Sequence, residues 1–380
     1  MCCKEKAIVY PYDSQFTPVL RYGNLIEQLD IVGLSSPRGW ALGGKDASWA
    51  DNGCFIDLIV DNRFEELLDQ CDTVIFTKSD YEVNFKSMIY PKIIIAIKAK
   101  KNIICLFDLE NERASVEEYC NENNVYFKNY IANNIPDDDF HGDSNNNTKD
   151  LQDINVPVIS VMGTTEETNK FSIQLDLRTR IMDLGYKVSQ IGTRSYCELL
   201  GFHSFPNFML GHSMPEYEKI LLFNRYIKSI EIQEKPDIII IGIPGGIMPV
   251  NNQIHNYFGI TAYEVYQAVL PDASILSMLY EEYNKAYIEN ICNLIKYRYG
   301  FEITCFNITN KTIDWLELVN AKPKEIQCCS IRSEIVENII TELNKYSIPP
   351  VFNLVNNNDS MQMTKLLIDK LADNANVELV

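Results

Sequence analysis

The ten residues "GTTEETNKFS", 163–172, sit between an apolar run and a helical pattern that opens on a lysine. A glycine-started turn at such a junction can cradle phosphates with successive backbone N–H groups, add a lysine charge and place a Ser or Thr hydroxyl on magnesium. Gly163 and Lys170 stand at the first-glycine and lysine positions of that loop, with one residue more between them than the common spacing. Asn169 replaces the glycine before the lysine; asparagine tolerates a left-handed backbone, yet its side chain crowds a phosphate. Phe171 removes the metal-binding hydroxyl and leaves Ser172 one residue late, about 100° further around the helix. Glu166 and Glu167 oppose an anion, since a like-charge contact near 4 Å at an effective dielectric of about 20 costs roughly 4 kcal/mol. The acid that should organise magnesium and water at a strand end is missing from "PDIIIIGIPGGIMP", where Asp237 precedes the strand. Gly163, Asn169, Lys170 and Ser172 are therefore candidates for holding a nucleotide or another anion without turnover. The bland alternative is a plain strand-turn-helix with Lys170 as an ordinary first-turn lysine. Gly245-Gly246, flanked by Pro244 and Pro249, is either a tight turn or a place where a ligand or another backbone comes close.

A second constellation is "SPRGWALGGKDA", 36–47, which follows a predicted strand and so lies at the carboxyl edge of a parallel sheet, where open α/β folds bind ligands. Arg38 and Lys45 suit a carboxylate or phosphate, Trp40 an apolar wall, and Asp46 completes the candidate crevice. Alternatively the charges pair with each other and the tryptophan caps a core. No Ser-His-Asp or Cys-His set can be assigned, and His203 and His212 read as local hydrogen-bonding residues. No metal site is expected. Eleven cysteines, none spaced Cys-x-x-Cys, read mostly as reduced thiols; the pair Cys328-Cys329 suits a soft metal but reads better as buried cysteine in a strand.

Strands interleaved with helices must position these residues. Ala7 to Tyr10, Ile31 to Leu34, Thr73 to Thr77 and Ile103 to Phe107 read as buried strands, with helices near 82–100 and 111–123, which predicts a Rossmann-like unit over 1–131. It lacks Gly-x-Gly-x-x-Gly after its first strand, so a dinucleotide is not indicated. Residues 132–155, rich in Asn and Asp, read as a polar linker, and Asp137, Asp138, Asp139 and His141 there as a solvated acidic turn. From 156 to 380 a second parallel α/β unit is expected. Its first strand is Val158 to Val161, and its first helix, about 169–184, ends at Gly185 in a left-handed cap. Ile173, Leu177, Ile181 and Leu184 would share the face of that helix that packs on the sheet. Further strands are expected at Lys187 to Ile191, Asp237 to Gly242, Ser274 to Tyr280, Glu302 to Ile308 and Pro350 to Val355.

The composition, 46% apolar and 23% charged over 380 residues, is that of a soluble globular chain with two cores. A formal charge of −18 repels nucleic acid and anionic lipid, so neither is an expected partner. The longest run free of Asp, Glu, Lys and Arg, Ile238 to Tyr263, is broken by proline and glycine and does not suit a membrane span. With no signal-peptide pattern, the cytoplasm is the expected location. A homo-oligomer stays open.

"YPYDSQFTPVLRY" followed by "IVGLSSPRGWALGGKDA" resembles the start of the clostridial peptide maturation system protein, a component of ribosomally made natural-product clusters. The second half is similar to a P-loop NTPase-like family of unknown function, distantly related to dethiobiotin synthetase, with "GTxxxxGKTT" and an N-terminal Rossmann-like domain. The resemblance implies an accessory protein that works with a precursor peptide and a radical SAM maturation enzyme. Gly163, Lys170 and Ser172 match the NTPase-like pattern; Asn169 and Phe171 depart from it. The rival expectation is a nucleotide-dependent ligase or kinase acting on the peptide through the altered loop.

Overall fold

The computed structural model describes residues 4–79, 84–130, 150–211, 213–320, 326–346 and 348–375. The predicted acidic turn at Asp137, Asp138, Asp139 and His141, and also His212, lie outside them. The chain divides into two compact units, Met1–Ala132 with Arg194–Ser204 and Asn133–Thr193 with Phe205–Val380. The architecture is α/β, built on mostly parallel sheets of six and seven strands.

The six-stranded sheet comprises β1 (Glu5–Tyr10), β2 (Leu29–Ser35), β3 (Val60–Asp61), β4 (Thr73–Phe76), β5 (Asn102–Cys105) and β6 (Phe127–Asn129). Their order is β3-β2-β1-β4-β5-β6, and every pair is parallel. That is the order of a Rossmann sheet, whose ligand crevice lies beyond the carboxyl ends of the strands where the order reverses, here β1 and β4. Ala7, Ile8, Val9, Val74, Ile75 and Phe76 are fully buried. Parallel sheets are covered on both faces, so their strands read as continuous apolar runs. β3 and β6 were not expected, because two or three residues show no alternation to read.

The seven-stranded sheet comprises β7 (Val158–Gly163), β8 (Val188–Gly192), β9 (His203–Ser204), β10 (Ile238–Gly242), β11 (Ala273–Met278) and β12 (Cys305–Ile308), with β13 (Lys311–Ile313) and β14 (Cys328–Ser330) outside it and β15 (Val351–Phe352) on its edge. Its order is β15-β12-β11-β7-β10-β8-β9. The chain leaves β7 for one side of the sheet and later returns to fill the other, so the end of β7 is a switch point as well. Ile173, Leu177 and Ile181 of the helix Lys170–Asp183 pack on Ile159, Val161, Ile238 and Ile240. Gly185 has a positive φ; its N–H meets Met182 O at 2.9 Å and Tyr186 N–H meets Ile181 O at 3.3 Å, a Schellman ending. Leu184 departs from the expected face: it is the cap, past the last helical turn, and 61% exposed.

Two other elements depart from expectation. The helix Ile260–Ala268 carries Glu264, buried, with its carboxylate 3.6 Å from the buried Lys219 ammonium, and this internal charge hides the helix's apolar face in sequence. β13 and β14 pair antiparallel, and Cys328 is half-buried while Cys329, on the opposite side of the strand, is exposed rather than buried. Burial pushes the Cys328 thiol up to about 12. No helix among the described residues is long and apolar enough to cross a membrane.

Candidate functional site

The loop after β7 is folded back on itself. Lys170, 6% exposed, opens the helix, and its Nζ donates to Thr165 O at 2.8 Å, with Glu166 Oε2 at 3.8 Å. Thr168 Oγ1 donates to the same carbonyl at 3.2 Å. Asn169 adopts φ 57°, ψ 23°, the left-handed conformation that a glycine would supply without cost. Gly163 is required for packing: a Cβ there would lie 2.3 Å from Thr168 Oγ1 and 2.9 Å from Thr165 O. The lysine ammonium thus remains in the loop, held by the chain's own oxygens.

Neighbouring strands clamp this loop. Thr164 N–H donates to Ser277 O at 3.0 Å and Ser277 Oγ to Thr168 O at 2.6 Å, both from β11. The Gly245-Gly246 turn beyond β10 does bring a backbone close, and that backbone is the loop itself. A Cβ on Gly246 would lie 2.7 Å from Thr164 O and Thr165 Cα. Asn256 Nδ2 reaches Thr165 Oγ1 at 3.1 Å. Glu167, expected to repel an anion, is ion-paired with Lys311 at 2.7 Å, which offsets its charge. Lys311 and Asn256 have no signal in sequence, because 144 and 91 residues separate them from their partners.

The parts that turn over a triphosphate are absent from their usual places. Phe171 is buried where the metal hydroxyl would stand, and Ser172, the next residue, is only partly buried. Asp237 lies before β10 and accepts Lys187 N–H at 2.7 Å. Glu281, three residues past β11, accepts Trp315 Nε1–H at 3.1 Å. Among the described residues no group of three or more His, Cys, Asp or Glu is placed to hold a metal ion.

In the first unit, Trp40 and Lys45 line a cavity of about 210 Å³ together with Asp13, Ser14, Ala41, Leu42, Trp49 and Ala50. Asp46 does not line it. Its carboxylate accepts backbone N–H groups from Ser48 at 2.9 Å and from Ile56 and Leu58 at 3.1 Å, fixing the β2–β3 crossover. Burial would raise this carboxyl, but those hydrogen bonds outweigh it and hold it at about 2. Arg38 is exposed and lies outside the cavity lining. Asp13, three residues past β1, was not among the expected site residues although an acid near a switch-point strand end is a usable signal. Tyr12 and Phe16 are fully buried there, and Tyr12 Oη donates to Ala47 O at 2.8 Å. The segment after β1 thus carries large buried side chains where dinucleotide-binding sheets carry glycines.

No protein-family model matches the chain, and neither does any curated protein. Among solved structures, it is similar to a DUF1611 family protein from Anabaena variabilis, at 10% identity and a TM-score of 0.61, over 97% of this chain and 100% of that one. This likeness extends to the fold. A cobyrinic acid a,c-diamide synthase from Mycobacterium smegmatis, solved with ADP and magnesium, aligns over 58% of this chain and 96% of its own at 9% identity and a TM-score of 0.34.

Proposed function

We propose that this protein is an accessory component of a ribosomal peptide maturation system, and that its altered loop binds a small anionic ligand without NTP turnover. The observation that carries the binding reading is Lys170, an ammonium held in the loop 2.8 Å from Thr165 O at the start of a 14-residue helix, with buried Phe171 beside it. The positive end of the helix and the lysine favour an anion. Phe171 at the metal-hydroxyl position and Asp237 ahead of its strand support binding rather than turnover. The peptide-maturation context is supported by the N-terminal pattern at 10–22 and 31–47. In that context the partners are a precursor peptide and a radical SAM maturation enzyme in the cytoplasm.

A nucleotide-dependent ligase or kinase is the second reading, favoured by the left-handed Asn169, which gives the loop a glycine-like shape before the lysine. Pyrophosphate in a thermal-shift assay addresses the anion site, since a ligand of the folded state raises its stability. The expected result is a rise in Tm that Lys170→Met removes; no rise at millimolar pyrophosphate would overturn the anion reading. For the context, the tagged full chain is expected to retain precursor peptide or maturation enzyme at micromolar concentration. Retention of neither counts against it.

A further inference from the structure

A second lysine reaches the anion loop from far along the chain. We propose that Lys311 is a second ammonium for the anion of that loop, and that Glu167 is its placeholder, a carboxylate of the chain standing where the ligand's charge goes. This role rests on the anion reading of Lys170. Lys311 Nζ lies 2.7 Å from Glu167 Oε2, while Lys170 Nζ donates to Thr165 O at 2.8 Å and has Glu166 Oε2 at 3.8 Å. Both ammonium groups therefore engage oxygens of the same short segment, Thr165 to Glu167. The two acids balance the two lysines, so an anion meets a net positive site only once a carboxylate has turned away.

The frame that carries Lys311 is the one that clamps the loop. Lys311 O accepts Tyr280 N–H at 2.6 Å, just past the end of β11, and Lys311 pairs with Ser330 between β13 and β14. From β11 itself, Ser277 holds Thr164 and Thr168 of the loop. The lysine thus stays at the loop when its partner leaves. An ammonium has three donors. Glu167 is the one hydrogen-bond partner of Lys311 Nζ among the described residues, and the lysine side chain is 28% exposed, so donors remain for an incoming anion. The Glu167 side chain, 31% exposed, can turn into water by rotation about its own bonds. Ion pairs of such exposure contribute little, so exchanging the carboxylate for a ligand's oxygen is close to neutral, whereas keeping it in place sets like charges together.

Calorimetric titration of the full chain with pyrophosphate separates this role from the anion reading itself. Lys311→Met alone decides little, because it also exposes the ligand to an unpaired Glu167; the comparison is made in Glu167→Gln. That variant is expected to bind pyrophosphate at least about threefold more tightly than the parent. Adding Lys311→Met to it should weaken binding at least about tenfold, while adding Lys311→Arg should keep most of the affinity. A lysine that served only to neutralise Glu167 would have no such effect once the carboxylate is gone. Lys311→Gln takes the place of Lys311→Met if thermal unfolding shows the latter not to be folded. The role of Lys311 is overturned, with the anion reading left standing, if Lys170→Met weakens binding to Glu167→Gln and Lys311→Met changes it by less than about threefold. It is overturned as well if Glu167→Gln binds no more tightly than the parent. Absence of binding at millimolar pyrophosphate in both the parent and Glu167→Gln overturns the role and the anion reading together.

Discussion

Both sheets place a crevice beyond the carboxyl end of their switch-point strand, and the chain treats the two crevices in opposite ways. Beyond β7 a glycine leaves room, and the chain takes it back: Lys170 turns onto Thr165, Gly246 lies against the loop backbone, and Lys311 pairs with Glu167. Beyond β1, Tyr12 and Phe16 are buried, and Trp40 and Trp49 are among the residues that line a cavity. Sheet topology therefore fixes where a crevice forms, while the few side chains after the strand decide which of the chain's own groups stand in it.

Substitutions can break that contrast, and the largest effect is expected at Phe171. Phe171→Ala should cost about 3–5 kcal/mol of stability in urea unfolding, as for other buried phenylalanines, because the ring packs inside rather than facing a ligand. A cost within about 0.5 kcal/mol would mark it as a surface residue. Gly246→Ala comes next, at about 1–3 kcal/mol, since its Cβ would press on loop backbone that cannot yield easily. Thermal unfolding compared with the parent chain measures it.

In the first unit, Asp46→Asn should cost about 1–3 kcal/mol by weakening the acceptor for one buried and two half-buried backbone donors. The sign of its pH dependence follows from a folded value of about 2, below the roughly 3.9 of an unfolded aspartate. Its stabilisation is full above the unfolded value and fades as pH falls through the folded one. Urea midpoints between pH 5 and pH 2 should show the parent losing this increment and Asp46→Asn lacking it. The smallest effect is expected for Arg38→Ala, within about 0.5 kcal/mol, because the side chain is exposed and outside the cavity lining.

The long strands and the helix after Gly163 were legible because buried parallel strands and a one-sided helix leave strong apolar patterns. Short edge strands and the helix Ile260–Ala268 were not, since the first are too brief to show a period and the second buries a charge, Glu264. At the sites, local grammar was readable: Asn169 is left-handed, and Trp40 and Lys45 share a cavity. Partners distant in sequence were not readable. Nothing near Glu167 announces Lys311, and nothing in "KDA" tells that Asp46 turns toward Ile56 and Leu58 instead of a ligand.

The claim that the second unit holds an anion without turning over a nucleotide is tested most directly by calorimetric titration of the full chain with pyrophosphate, paired with a phosphate-release assay on ATP and magnesium. Pyrophosphate should bind without added magnesium, Lys170→Met should weaken it at least about tenfold, and no phosphate should be released from ATP. Magnesium-dependent phosphate release, or binding that Lys170→Met leaves unchanged, would contradict the account.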